Sequence, residues 1–162
     1  MPLHPVIVHI PVALAVLMPL IAGALLLATW RKWLPPRAWA LALGLQAVLA
    51  LGGLAAMNTG EREEDRVEKV VSEAALEAHE DAGKRFMVGA FGVLALAAIP
   101  LFVRRDTLKI ATMSLATAGT LAVVALGYDV GHQGGKLVYV EGATKAYTQG
   151  AAPNAQARHD DD

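Results

Sequence analysis

Four stretches of this chain, residues 10–30, 38–60, 86–103 and 110–128, contain no Asp, Glu, Lys or Arg. Each is long enough to cross a hydrocarbon layer of about 30 Å at about 1.5 Å per helical residue. Backbone inside lipid must satisfy its N–H and C=O groups within its own segment, so such runs fold as helices. A chain of 162 residues cannot bury four such helices in a water-soluble core, and its 55% hydrophobic content points the same way. The fold class is therefore all-α: an integral membrane four-helix bundle in contact with the lipid bilayer. Its spans cover about 5–29, 38–57, 86–103 and 110–128, within one domain of residues 1–142.

The punctuation between these runs refines the reading. Pro5 suits the first turn of a helix, where its missing N–H would be unpaired anyway. Pro11 and Pro19 lie further in and should bend the first span. Trp30, Trp33 and Trp39 bracket the short loop RKWLPPR as interfacial aromatics do. Gly44, Gly52 and Gly53 in the second span, and Ala111, Ser114, Ala118, Gly119 and Ala122 in the fourth, supply small faces for close helix contact. Asn58-Thr59-Gly60 reads as a turn. Beyond it, Val67, Val70, Val71, Ala74, Ala75 and Ala78 recur at helical spacing in a charged segment. This predicts an extramembrane amphipathic helix over about 61–82, between spans two and three, folded over the bundle end or running on into the third span. Three glycines around His132 predict irregular backbone there, and residues 143–162 read as a polar, weakly ordered tail.

Orientation follows from the basic residues. Arg31, Lys32, Arg37, Arg104, Arg105 and Lys109 share one side with a single acid, Asp106. By the positive-inside rule that side is cytoplasmic, which puts both termini and the 58–85 loop outside. The first span has no basic region ahead of it and an apolar run too long for a signal peptide, so it reads as an uncleaved span.

The chemistry is bounded by what the chain lacks. There is no cysteine, hence no Fe–S ligation and no covalent c-type haem. No basic patch suggests nucleic acid. Neither a Ser/His/Asp set nor an HExxH motif supports a hydrolase. Histidine is left to carry any metal chemistry, and the topology brings His4, His9, His79 and His132 to one membrane face. His159 falls in the tail.

An ideal helix turns His4 and His9 about 140° apart, so the two would not ligate one ion from one face. His9, the deepest, ranks first as a ligand, then His132 and His79, with His4 close behind. The plain alternatives are a solvated terminus for His4, an interhelical hydrogen bond for His9, a polar surface position for His79 and a helix-end cap for His132. Glu80, Asp81, Asp129 and Glu141 gather at the same face, and carboxylates often orient ligating imidazoles. Arg62, Arg66, Lys84, Arg85 and Lys136 would suit anionic groups such as propionates. The leading expectation is an electron carrier holding one or two b-type haems by paired histidines, with a periplasmic cytochrome or a quinone as redox partner. A non-haem copper or zinc site on the same histidines is the second. An accessory subunit of a larger respiratory or photosynthetic membrane complex is the third.

The segments HPVIVHIPVAL at the start, NTGEREE after the second span, EAHED before the third and GHQGGKLVY after the fourth together resemble the DUF2231 family of small bacterial membrane proteins. The resemblance covers about residues 2–142. It implies a four-span protein of the bacterial inner membrane, and members occurring beside or fused to cytochrome-like modules would fit redox work. The family pattern often places a histidine where this chain has Glu141.

The orientation is directly testable. In intact cells, a cysteine placed at Ser72 is expected to react with an impermeant thiol reagent and one at Pro36 to remain unlabelled; the reverse pattern inverts the topology.

Overall fold

A computed structural model of the protein describes residues 3–148. Its helices are α1 (His4–Ile7), α2 (His9–Trp30), α3 (Ala40–Val67), α4 (Glu73–Phe102), α5 (Asp106–Tyr139) and α6 (Lys145–Thr148), with one 3₁₀ turn at Pro36–Trp39. The four long helices run alternately up and down. Each packs on its neighbours in sequence, and α5 closes the ring against α2. All four are long and apolar enough to cross a membrane.

The break between α1 and α2 has a covalent cause. Pro11 has no N–H to offer the Ile7 carbonyl, and the ladder is interrupted around Val8, which itself stays helical with its N–H on the His4 carbonyl at 3.2 Å and its carbonyl taking the Val12 N–H at 3.1 Å. At the other end, α2 stops with Lys32 in the left-handed region (φ 60°), a position glycine usually fills, and the Trp33 N–H turns back to the Ala28 carbonyl at 2.8 Å. Trp30 and Trp33 are exposed beside this loop, with Arg31 over both rings. Trp39 differs from the interfacial role expected of it. It is buried, its Nε1–H donates to the Ala97 carbonyl at 2.9 Å, and its 3₁₀ turn packs on α2, α3 and α4.

The core is built largely from small residues at three- and four-residue spacing. Ala15, Met18, Ala22 and Leu25 of α2 meet Ala42, Leu49 and Ala50 of α3, with Ala90, Val93 and Ala97 of α4 and Met113, Ala116 and Val123 of α5. Lipid tails are as apolar as these side chains, so close backbone approach rather than escape from water holds such helices together. A Cβ at Gly119 would sit 2.8 Å from Val93 Cγ2, and one at Gly89 2.7 Å from Leu126 Cδ1. A second buried polar tie joins the helices: fully buried Gln46 donates to the Ala90 carbonyl at 3.0 Å.

Three expectations for the histidine-bearing end are corrected. Asn58-Thr59-Gly60 is no turn: α3 runs through it to Val67, with the Thr59 hydroxyl donating back to the Ala55 and Ala56 carbonyls at 3.0 and 2.9 Å. Segment 61–82 is not one continuous helix. It divides at Glu68–Ser72 into an extension of α3 and the first turns of α4, which run on into the third span as one of the two expected courses has it; Ser72 is extended (ψ 141°) and its N–H goes to the Glu141 carboxylate at 3.1 Å. The glycines around His132 are helical, within α5. The expected tail also begins with order, since Ala143 is buried and α6 docks on α3 through Tyr147. The rest of that tail, with His159, lies outside the described residues.

Packing at Gly119 yields a prediction. Val93 cannot yield as a long flexible side chain would, so Gly119→Ala is expected to cost about 1–3 kcal/mol through overpacking. Nothing lies within 4 Å of a Cβ at Gly23, so Gly23→Ala should leave stability unchanged or raised. Thermal midpoints in detergent compare the two.

Candidate functional site

From Trp30 back to His9 the helix rises about 31 Å, about one hydrocarbon thickness. The helices continue past that level. Charge-free residues of α4 begin at Phe86, and His79 stands two turns beyond, outside the spanning segment; α3 likewise continues as a charged helix after Gly60. The bundle therefore carries a polar extension, and two histidines meet inside it.

His4 reaches in from α1. Its Nδ1 lies 2.8 Å from the Ala56 carbonyl, which fixes it as the N–H donor and leaves Nε2 with the free lone pair. The Thr59 hydroxyl oxygen stands 3.4 Å from the same nitrogen. His79 comes from α4, with ring centroid 6.3 Å from that of His4 and the planes at 89°. Its Nδ1 is closed off from solvent and has no hydrogen-bond partner among the described residues, although the Val130 carbonyl reaches the ring. A buried nitrogen left in this state costs free energy and calls for an explanation.

Each ring lies against a glycine. A Cβ at Gly60 would stand 3.4 Å from His4 Cε1 and Nδ1, and one at Gly134 3.2 Å from His79 Cε1. His79 also keeps the register of the α4–α5 seam. It precedes Phe86 and Val93 by successive steps of seven, and these three residues meet Gly134, Gly127 and Gly119 of α5.

The other two histidines stay apart from this pair. His9 is exposed on α2, and His132 is exposed on α5, stacked on Tyr128 at 6.1 Å and 8°. Of the four histidines expected as ligands, His4 and His79 lie together, whereas His9, ranked first by depth, is exposed and turned away from the ring that His4 joins. No group of three or more His, Asp or Glu residues placed to hold a metal exists among the described residues.

The acids expected around the histidines have other partners. Asp129 pairs with Arg85 at 3.0 Å, Glu80 and Asp81 pair with Lys84 at 3.5 and 3.4 Å, and Glu141 holds the Ser72 N–H. Glu64, in the polar extension, is pushed up from its ordinary value chiefly by Glu80. Lys136 and Arg62 are exposed and form no ion pair among the described residues. Burial, reinforced by His4, holds His79 below the ordinary histidine value. It is therefore a neutral imidazole at neutral pH, the form that can donate a lone pair.

Residues 1–146 match DUF2231, a family described as predicted membrane proteins. The chain belongs to this family. No curated protein and no solved structure matches this DUF2231 chain. Its NTG and GHQGG segments, which look like turn signals, prove to be the places where backbone comes close to an imidazole.

Sequence reasoning passed over the Ala56 carbonyl, Thr59, Gly60 and Gly134. The signal that would have found the last is the seven-residue step from Val93 through Phe86 to His79.

The depressed His79 value sets a pH dependence. Between the folded value and the ordinary 6.5, the unfolded chain binds more protons, so stability rises with pH across that window and is lost as pH falls through it. Thermal unfolding in detergent between about pH 5 and 8 should show a midpoint that drops below about 6.5 in the wild type. His79→Gln should remove that part of the drop; equal slopes in both proteins would count against a buried neutral ring.

Proposed function

We propose that this DUF2231 protein holds one b-type haem between His4 and His79 and carries electrons at the outer face of the bacterial inner membrane. The observation that carries the reading is the pair itself: two neighbouring imidazoles set edge-on, one with its Nδ1 fixed by a carbonyl and the other with a buried Nδ1 that only the Val130 carbonyl approaches. A metal-ligating histidine commonly donates its other N–H to a backbone carbonyl, as His4 does to Ala56.

The number of ligands favours haem over copper or zinc. A porphyrin supplies four nitrogens of its own, so its iron needs two axial groups from the protein. Zinc takes three or four protein ligands, and the described residues bring no third His, Asp or Glu to this pair. Iron held by two imidazoles supplies one-electron exchange without an open coordination position, which suits a carrier more than an oxygen-activating enzyme. His4 and His79 bind and orient; the exposed cations Lys136 and Arg62 stand at the same end to meet propionates. The orientation follows from the basic loops at the other end, and the redox partner on this reading is a periplasmic cytochrome or a quinone.

Protein purified from a haem-supplied host tests this by pyridine haemochrome per chain. The expected count is about one haem, set by the single pair. His4→Ala and His79→Ala should each lose it, while His9→Ala, His132→Ala and His159→Ala should retain it. A preparation with no Soret band but stoichiometric copper or zinc would replace haem by a non-haem metal.

A further inference from the structure

α1 is a flap of one turn. Pro11 leaves the Ile7 carbonyl without its helical donor at the joint with α2, and none of the residues of α1 is buried. Three polar contacts hold it: His4 Nδ1 on the Ala56 carbonyl and, at 3.4 Å, on the Thr59 hydroxyl oxygen, and the Leu3 N–H, which donates to Glu63 Oε1 at 3.0 Å. The other oxygen of Glu63 is committed as well, since Oε2 accepts the hydroxyl of Tyr147 in α6. Arg66 lies over that phenol ring, 5.7 Å from its centroid.

These contacts fall on a single turn of α3. Thr59 and Gly60 receive the His4 ring, and Glu63, one turn on, receives the backbone of the residue beside it. Glu63 is thus the point where the two ends of the described chain meet. Burial, with the Glu63 carboxylate, pushes the Tyr147 phenol up to about 12, so its hydroxyl is a standing donor at physiological pH.

We propose that Glu63 is the positioning residue for His4, and that the C-terminal segment, through the Tyr147 hydroxyl, latches α1 across the histidine pair. The consequence for a cofactor rests on the reading of His4 and His79 as its ligands: with the latch open, α1 swings about Val8 and removes His4, while His79 stays in the α4–α5 seam.

Hydrogen exchange of the full chain in detergent, without haem, tests the latch independently of any ligand. Tyr147→Phe and Glu63→Ala should each raise exchange over residues 3–8 by about tenfold, the effect of losing one charge-assisted hydrogen bond. Residues 40–57 should keep their protection. Glu63→Gln retains an oxygen for the Leu3 N–H and should fall between. In haem-loaded protein, Glu63→Ala should convert part of the low-spin spectrum to a high-spin one at unchanged helix content, a shift that general loosening of the fold would not confine to one ligand. Wild-type exchange over 3–8 in both Tyr147→Phe and Glu63→Ala would overturn the proposal, as would equal deprotection of 3–8 and 40–57 in the milder Tyr147→Phe. Raised exchange confined to 3–8 in a protein that takes up no haem would uphold the latch and fail only the haem reading.

Discussion

The distance between α4 and α5 governs the rest of this molecule. In a bilayer, burying an apolar side chain gains little over leaving it in lipid, so helices associate through contacts that only close approach permits. Gly119 admits Val93, Gly127 receives Phe86 and Gly89 makes room for Leu126. The same seam continues past the membrane level without changing register, and its next step places His79 on Gly134. The site thus inherits its geometry from the membrane packing: a bulkier residue at position 119 or 127 would press on the seam whose outer end holds the imidazole.

The membrane architecture was legible because lipid imposes one dominant constraint. Absence of charge over a span length is a stronger signal than any propensity, and all four charge-free runs lie in long helices. The ends of those helices were not legible. Asn58-Thr59-Gly60 and Gly131 with Gly134 and Gly135 carry the composition of turns, yet each is helical. Thr59 satisfies its hydroxyl on the preceding turn of α3, and the glycines serve close contact, a role that composition does not separate from chain reversal. The real reversal, Glu68–Ser72, sits within a stripe of regularly spaced valines and alanines; it is held by Glu141, far along the chain, and local periodicity does not register such a partner.

The meeting of histidines at one end was legible, and their arrangement was not. Topology correctly brings His4 and His79 to one end, and helical geometry already sets His4 and His9 on different faces. Depth in the span was a poor guide to which of those faces points inward. Pro11 contacts the α3 backbone at Gly52, which turns His9 outward, while the break at Val8 lets α1 direct His4 to Ala56. The carboxylates were misjudged for a related reason. Near an interface each found a cation or an N–H of its own, leaving carbonyls to orient the rings.

The two imidazoles are held in different ways, and the difference has chemical meaning. His79 is a seam residue between two long helices, with little freedom to move without parting α4 from α5. His4 sits on a single turn, joined to the bundle through Ala56, Glu63 and a proline-induced lapse in the helix. A pair of equally rigid rings 6.3 Å apart would close the space between them to anything as wide as a macrocycle. A pair with one fixed and one hinged member can open, accept a flat ligand against the fixed ring and close from the other side. On the haem reading, the proline at position 11 is therefore as much a part of the site as either histidine, because it frees the turn that carries His4.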